Sequence, residues 1–193
     1  MNKKRSAVFV DRDGTLIRDV NYLTDPKNIR VYKNTYKSLS MLKKAGYVII
    51  MTTNQSAIDR KYLSIARLHQ IHNKLLKIFK DHNAYIDAVY YCPHLPEQKC
   101  SCRKPNIGMI KKAGKKFNID LSSSYAVGDK SADVHMAWNF GGKGILVLTG
   151  KGRRERAVCS PKKLYHVAST FYNAVKKILI DTSNMASANV KIC

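Results

Sequence analysis

Two aspartates stand one residue apart in the segment AVFVDRDGTLIRD, which runs from Ala7 to Asp19. Asp11 and Asp13 directly follow an apolar run that predicts a buried strand, and Gly14 comes directly after them. Carboxylates this close raise each other's pKa, so the pair costs stability unless a cation or a reaction uses it. Glycine lets the backbone turn tightly around a bound group. The pattern predicts a cation site or acid–base chemistry, with a turn carrying two solvated acids as the alternative.

Two further predicted strands end in groups that suit a phosphate and a metal ion. VIIMTTNQS ends in hydroxyl and amide side chains, namely Thr52, Thr53, Asn54 and Gln55, which can donate hydrogen bonds to phosphate oxygens. SYAVGDKSAD ends in Asp129 and Lys130, with Asp133 following shortly after. Between them, the segment CRKP contributes two cations, Arg103 and Lys104. Because ligands of open parallel sheets bind at the carboxyl ends of strands, these groups predict Mg²⁺ together with a phosphorylated ligand.

The segment CPHLPEQKCSC has the spacing C-x-H-x5-C-x-C, which predicts a tetrahedral zinc site. The four candidate ligands are Cys92, His94, Cys100 and Cys102. The alternative is a loop with reduced cysteines. Two prolines and few apolar side chains give the loop little order of its own, which a metal would supply. Four protein ligands leave no open position, so we expect structural zinc in a loop over about residues 92–104, which positions Arg103 and Lys104.

Short apolar runs alternate with amphipathic stretches, which predicts a parallel sheet with helices on both sides. The predicted strands are SAVFVD, YVIIMTTN, DAVYYC, SYAVGD and GILVLTG, with LYHVAS as a short sixth. The predicted helices are NTYKSLSMLKKAG, SIARLHQIHNKLLKIFKDH, NIGMIKKAGKKFNI, SADVHMAWNF and STFYNAVKKILID. On the second helix we expect His69 and His72 to be surface or half-buried histidines rather than a metal pair. We predict one three-layer α/β domain over residues 1–181, a basic connection at KGRRERAVCSPKK, and a disordered tail over 182–193.

The chain carries a formal net charge of +22 over its 193 residues. Such a charge attracts anions, which include nucleic acid, anionic membranes and phosphorylated substrates. The lysines are spread along the chain rather than gathered on one element, so we expect no dedicated nucleic-acid partner. No stretch approaches the ~20 apolar residues that span a bilayer, and no signal peptide is evident. We expect a cytoplasmic protein without a membrane partner; a nucleic-acid-associated protein is the rival of another class.

The segments DRDGT, TTNQS, RKP and GDKSAD resemble, in order and spacing, the four motifs of the haloacid dehalogenase superfamily of phosphatases. The resemblance covers about residues 6–150 and implies a Rossmann-like fold with a small flap over the site. It implies that Asp11 is the nucleophile, which forms an aspartyl phosphate, and that Asp13 is the general acid and base. It also implies that Thr53 and Lys104 hold the transferring phosphoryl group.

The same resemblance assigns the metal ligands. Mg²⁺ would be held by Asp11, by the backbone carbonyl of Asp13 and by Asp129, while Asp133 acts through water. These cations would allow an anionic nucleophile to approach an anionic phosphate.

The zinc loop and the stretch DVNYLTDPKNIRVY narrow the resemblance to the histidinol-phosphatase-like subfamily. This implies a monomeric phosphatase whose favoured substrate is a sugar bisphosphate, D-glycero-D-manno-heptose 1,7-bisphosphate, losing its 7-phosphate in lipopolysaccharide-core or surface-layer synthesis. Histidinol phosphate is the alternative substrate. Arg103 would recognise the distal phosphate or the anomeric end. The implied substrate-binding residues are Asp19, Val20, Asn21, Tyr22, Asn54, Gln55, Ser56, Arg103 and Lys130. The chain departs from the family at QSAIDRK, which lacks the usual glycine after Ser56.

Overall fold

The computed structural model describes residues 4–158 and 166–190. The strands are β1 (Ala7–Val10), β2 (Val48–Asn54), β3 (Ala88–Cys92), β4 (Tyr125–Gly128), β5 (Lys143–Val147) and β6 (His166–Ala168). The helices are α1 (Thr35–Lys44), α2 (Ile65–Asp81), α3 (Gly108–Phe117), α4 (Ser131–Phe140), α5 (Gly152–Val158) and α6 (Phe171–Val190), with short 3-10 turns at Pro26–Asn28 and Pro96–Gln98. The strands form one parallel sheet in the order β3-β2-β1-β4-β5-β6, which confirms the predicted α/β fold.

Both faces of the sheet are buried, which explains why its strands are continuous apolar runs. Along β1, Val8 and Val10 belong to the core shared with α1, α2 and α6. Ala7 and Phe9 belong to the opposite core, shared with α3 and α4. Successive side chains of a strand point to opposite faces, so one short strand anchors both helical layers.

The structure differs from the expectation at two places near the carboxyl end. Residues Gly152–Val158 form α5 at the start of the segment expected to be a basic connection, whose remainder lies outside the described residues. So short a helix shows no clear helical period in its sequence, although Arg, Glu and Ala favour a helix. Helix α6 continues past residue 181, where a disordered tail was expected, as far as Val190. The hydroxyl groups of Tyr47 and Thr182 lie 2.7 Å apart and hold this extension to the core.

The chain order reverses beside β1, which pairs with β2 on one side and β4 on the other. Open α/β sheets form their ligand crevice at such a point, outside the carboxyl ends of the strands. Asp11 follows β1, Thr53 lies at the end of β2, and Asp129 follows β4. The topology therefore brings these three side chains to one edge of the sheet. Within the described residues, no helix combines the length and the apolar composition needed to cross a bilayer.

Candidate active site

A cavity of about 470 Å³ lies at this edge of the sheet. Its lining includes residues that the sequence singled out, namely Asp11, Asp13, Asn21, Tyr22, Thr53, Asn54, Ser56, Arg103, Lys104, Lys130 and Asp133. Lys151, which the sequence did not indicate, also lines it. Asp19 lines an adjoining cavity with Asn21 and Lys151, whereas Val20 is an exposed side chain. Most of the groups expected to act on a phosphate thus converge on one space, while Asp19, Val20, Gln55 and the buried Asp129 lie outside its lining.

Lys104 lies between two buried carboxylates. Its Nζ donates to Oδ1 of Asp11 at 2.6 Å, to Oδ1 of Asp133 at 2.7 Å and to the carbonyl of Thr52 at 2.8 Å. Burial opposes the charged ammonium, but the two carboxylates raise the pKa of Lys104 well above its usual range. All three ammonium protons donate to oxygens of the protein, so the contacts of Lys104 serve to neutralise the two acids. Its contact with a phosphoryl group stays a prediction.

Asn54 fixes the backbone that carries Lys104. Its Oδ1 accepts from the Lys104 backbone N–H at 3.0 Å, and its Nδ2 donates to the Lys104 carbonyl at 3.2 Å. The side-chain amide predicted to bind substrate therefore clamps the RKP loop against the end of β2. Thr53, the neighbouring predicted phosphoryl ligand, accepts a hydrogen bond from Nε2 of Gln55 at 2.8 Å.

Asp129 completes a buried acidic cluster that suits a divalent cation. Its Oδ2 accepts from the Lys151 backbone N–H at 2.7 Å, while its Oδ1 has no hydrogen-bond partner among the described residues. Burial, followed by the nearby carboxylate of Asp11, raises the pKa of Asp129 to about 7. Asp11, Asp129 and Asp133 each offer an oxygen, all within 4.8 Å of one another. Buried carboxylate oxygens, one of them without a hydrogen-bond partner among the described residues, fit Mg²⁺, a hard cation that oxygen ligands hold.

Gly14 is required beside this cluster. Its backbone φ of 81° lies in the left-handed region, and a Cβ there would come within 2.0 Å of Oδ2 of Asp129. The glycine of DRDGT therefore permits the close approach of the β1 loop to the acid that follows β4.

Asp13 is held by Arg12, a contact that the sequence did not indicate. Nε of Arg12 donates to Oδ1 of Asp13 at 3.1 Å, and Nη2 donates to Oδ2 at 2.9 Å. Nε2 of Gln55 donates to the same Oδ2 at 2.9 Å. Burial opposes ionisation, but the Arg12 guanidinium and these hydrogen bonds hold the pKa of Asp13 below its ordinary value. The side chain of Gln55, predicted to bind substrate, is thus engaged with Thr53, Arg12 and Asp13.

The cysteine–histidine loop forms a compact donor cluster in which the described cysteines are free thiols. Five of the six pairs of donor atoms lie 3.2–3.5 Å apart, and all four donor atoms lie within 4.8 Å of one another. Tetrahedral zinc with bonds of about 2.3 Å to sulfur separates its ligands by roughly 3.7 Å. Three sulfurs and one imidazole nitrogen at this spacing fit zinc. Nη1 of Arg103 donates to the carbonyl of His94 at 3.0 Å, which ties the loop to the cavity.

The predicted flap after Ser56 packs back onto the domain. Ala57, Ile58 and Leu63 are buried, whereas Tyr62 is exposed. The Tyr62 ring makes an edge contact with Tyr22, which lines the cavity, at a centroid distance of 5.1 Å. The altered sequence at this place therefore still supplies a packed segment beside the cavity.

Lys130 also lines the cavity, directly after the acid that ends β4. Burial opposes its charge, but the carboxylates of Asp11 and Asp129 raise its pKa. The side chain therefore stays charged and adds to the cations that face an incoming phosphate.

A sequence model described as HAD-hydrolase-like matches residues 101–174. The D-glycero-beta-D-manno-heptose-1,7-bisphosphate 7-phosphatase of Haemophilus ducreyi is 42% identical over 159 residues, which cover 78% of this chain and 86% of that protein. The protein of the same name from Escherichia coli K12 is 36% identical over 160 residues, which cover 78% and 83%. Both proteins are similar to this chain along most of their own length.

A solved structure with the same architecture is the D,D-heptose 1,7-bisphosphate phosphatase from B. bronchiseptica, complexed with magnesium and phosphate. It superimposes with a TM-score of 0.85 at 28% identity, covering 91% of this chain and 99% of that one. The heptose phosphatase from Burkholderia thailandensis, at 24% identity and a TM-score of 0.71, shows the same fold.

Proposed function

The chain belongs to the D-glycero-D-manno-heptose-1,7-bisphosphate 7-phosphatase family of HAD-like hydrolases, and we propose that it removes the 7-phosphate of this sugar bisphosphate. The observation that carries the proposal is that Asp11, Asp13 and Lys104 line one cavity, while the buried Asp129 offers an oxygen within 4.8 Å of those of Asp11 and Asp133. A phosphorylated ligand entering this cavity meets a carboxylate nucleophile, a second carboxylate and several cations.

Asp11 attacks phosphorus. Lys104 holds Oδ1 of this carboxylate, so Oδ2 is the oxygen that forms the bond to phosphorus. The P–O bond to the sugar breaks, its electron pair stays with the sugar oxygen, and an aspartyl phosphate forms on Asp11.

Asp13 handles the protons. It gives a proton to the departing sugar oxygen and then takes one from the water that attacks the aspartyl phosphate, which breaks the bond between Asp11 and phosphorus and releases phosphate and the free Asp11 carboxylate. The low pKa that Arg12 imposes suits the second, basic role. An arriving phosphate brings like charge toward Asp13, which raises its pKa and favours the first, acidic role.

Asp11, Asp129 and the backbone carbonyl of Asp13 would hold Mg²⁺, with Asp133 acting through water. The ion supplies positive charge that offsets the repulsion between carboxylate and phosphate. The unpartnered Oδ1 of Asp129 and the high pKa of that acid support this assignment. Without a metal ion, the three carboxyl groups of Asp11, Asp129 and Asp133 outnumber the two ammonium groups of Lys104 and Lys130 that neutralise them.

Zinc would be held by Cys92, His94, Cys100 and Cys102, in a structural role. Arg103 lies directly after the last ligand and donates to the carbonyl of the second. An ordered loop therefore aims Arg103 at the cavity, where its guanidinium grips the distal phosphate of a bisphosphate. We also propose that the protein is a cytoplasmic monomer, since a site that needs reduced thiols suits the cytoplasm.

Phosphate release across a substrate panel tests the function. The panel contains the heptose 1,7-bisphosphate, histidinol phosphate, p-nitrophenyl phosphate and nucleotides, each with magnesium. We expect the bisphosphate to have the highest kcat/KM and its product to retain the 1-phosphate. Preference for histidinol phosphate would replace the substrate but keep the chemistry, whereas no hydrolysis together with salt-sensitive DNA binding would favour the nucleic-acid alternative.

A further inference from the structure

Arg12 is a charged side chain with almost no exposed surface, at 1%. It stands between the two aspartates of the site but does not line the cavity. Its fork to Asp13 uses Nε and Nη2, and Nη2 also donates to Oε1 of Gln55 at 3.0 Å. The remaining arm, Nη1, lies 3.1 Å from Nε2 of His72. Burying a guanidinium costs free energy unless its N–H donors find acceptors, so each of these acceptors stabilises Arg12 in its buried position.

His72 contacts Arg12 on the side away from Asp13. A guanidinium donates and never accepts, so Nε2 of His72 accepts the hydrogen bond and the imidazole is neutral. Burial, followed by the Arg12 charge, lowers the pKa of His72 to about 3, in agreement with that assignment. Contrary to the sequence-based expectation of a surface or half-buried side chain, His72 is buried at 5% exposure. It lies on α2 next to Ile71, which belongs to the apolar core.

We infer that Arg12 and His72 are positioning residues, which fix the Asp13 carboxylate in the orientation needed for proton transfer. The inference rests on the proposed phosphatase function. The step it governs is the transfer of the Asp13 proton to the sugar oxygen, as the P–O bond breaks and its electron pair stays on that oxygen. Loss of the His72 acceptor leaves Nη1 buried without a partner, and the guanidinium turns away to find another. The fork to Asp13 then loosens.

The test exploits the leaving group. A sugar oxygen needs the proton from Asp13, whereas p-nitrophenolate is stable enough to depart without it. The ratio kcat/KM covers the steps up to departure of the alcohol, so the later hydrolysis of the aspartyl phosphate does not enter. We expect His72→Phe to lower kcat/KM for the heptose bisphosphate by about 10- to 100-fold, a part of the roughly 100- to 10,000-fold that general acid catalysis contributes, and that for p-nitrophenyl phosphate by less than about threefold.

Two variants isolate the hydrogen bond. His72→Gln restores an acceptor and is expected to keep most of the activity toward the sugar. His69→Phe makes the same replacement one turn earlier on α2, at a histidine that also contacts Tyr91 but not Arg12. We expect this variant to keep the wild-type kcat/KM for both substrates. If His72→Phe does not fold, Arg12→Lys takes its place in the comparison of the two esters. One ammonium group cannot donate to both oxygens of Asp13 and also reach His72.

The outcomes separate two ideas. Equal losses on the two esters, no loss on either, or the same loss in His69→Phe would overturn the positioning role while leaving the phosphatase function standing. A wild-type protein that hydrolyses neither ester would overturn the proposed function, and this inference with it.

Discussion

Asp129→Asn tests whether the acidic cluster needs a cation. Asp129 is fully buried, and its pKa rises to about 7, from 3.8 in the unfolded chain. Between these values the folded state binds a proton that the unfolded state has released, so stability falls as pH rises through the folded pKa. Linkage gives a loss of about 2.5 kcal/mol for this group between about pH 5 and pH 8. The amide that replaces the carboxylate keeps its shape and cannot ionise, so the variant escapes this loss.

The measurement is the free energy of unfolding by urea, without magnesium and without chelators, so that bound zinc stays in place. The stability advantage of Asp129→Asn over wild type should grow by about 2.5 kcal/mol from pH 5 to pH 8. Saturating magnesium should stabilise the wild type more at pH 8, where it does not compete with a proton, and the variant little at either pH. Asp81→Asn, an exposed acid of α2, is the matched control. An advantage that is the same at both pH values would refute the reasoning.

Three further predictions concern the chemistry and the loop. Asp11→Asn should abolish phosphate release from a folded protein, because an amide cannot attack phosphorus; residual turnover in a purified variant would contradict the covalent route. Metal analysis should find about one zinc per chain, lost in Cys100→Ser but kept in Ser101→Ala, and wild-type protein without zinc would contradict the site. Arg103→Ala should cost about 1.5–3 kcal/mol in kcat/KM for the bisphosphate and little for p-nitrophenyl phosphate, while Lys104→Ala should impair both; equal losses in Arg103→Ala would remove its distal role.

The residues that gather at the strand ends could be predicted because a parallel sheet leaves few alternatives. Asp11, Thr53 and Asp129 each lie at or directly after the carboxyl end of a buried apolar run, and such ends meet at one edge. The donor set of the zinc loop was also visible, since its four members lie within eleven residues. Local spacing and strand order were sufficient for these parts of the site.

The partners of the polar side chains could not be predicted in the same way. Asn54 and Gln55 have the chemistry of phosphate ligands, but the structure uses their amides on the Lys104 backbone and on Arg12 with Asp13. The contact between Arg12 and His72 joins positions 60 residues apart. Such pairings depend on how α2 packs on the sheet, and no periodicity in the sequence reports that.

The central place of β1 has a consequence for the order in which the chain folds during synthesis. Val8 pairs with Ile49 on one side and with Tyr125 on the other. At roughly 5–20 residues per second, the ribosome completes β2 several seconds before it completes β4. During that interval one edge of β1 has no native strand beside it, and such open edges invite pairing with other chains. We expect the nascent protein to be most prone to aggregation after β2 has emerged and before β4 has.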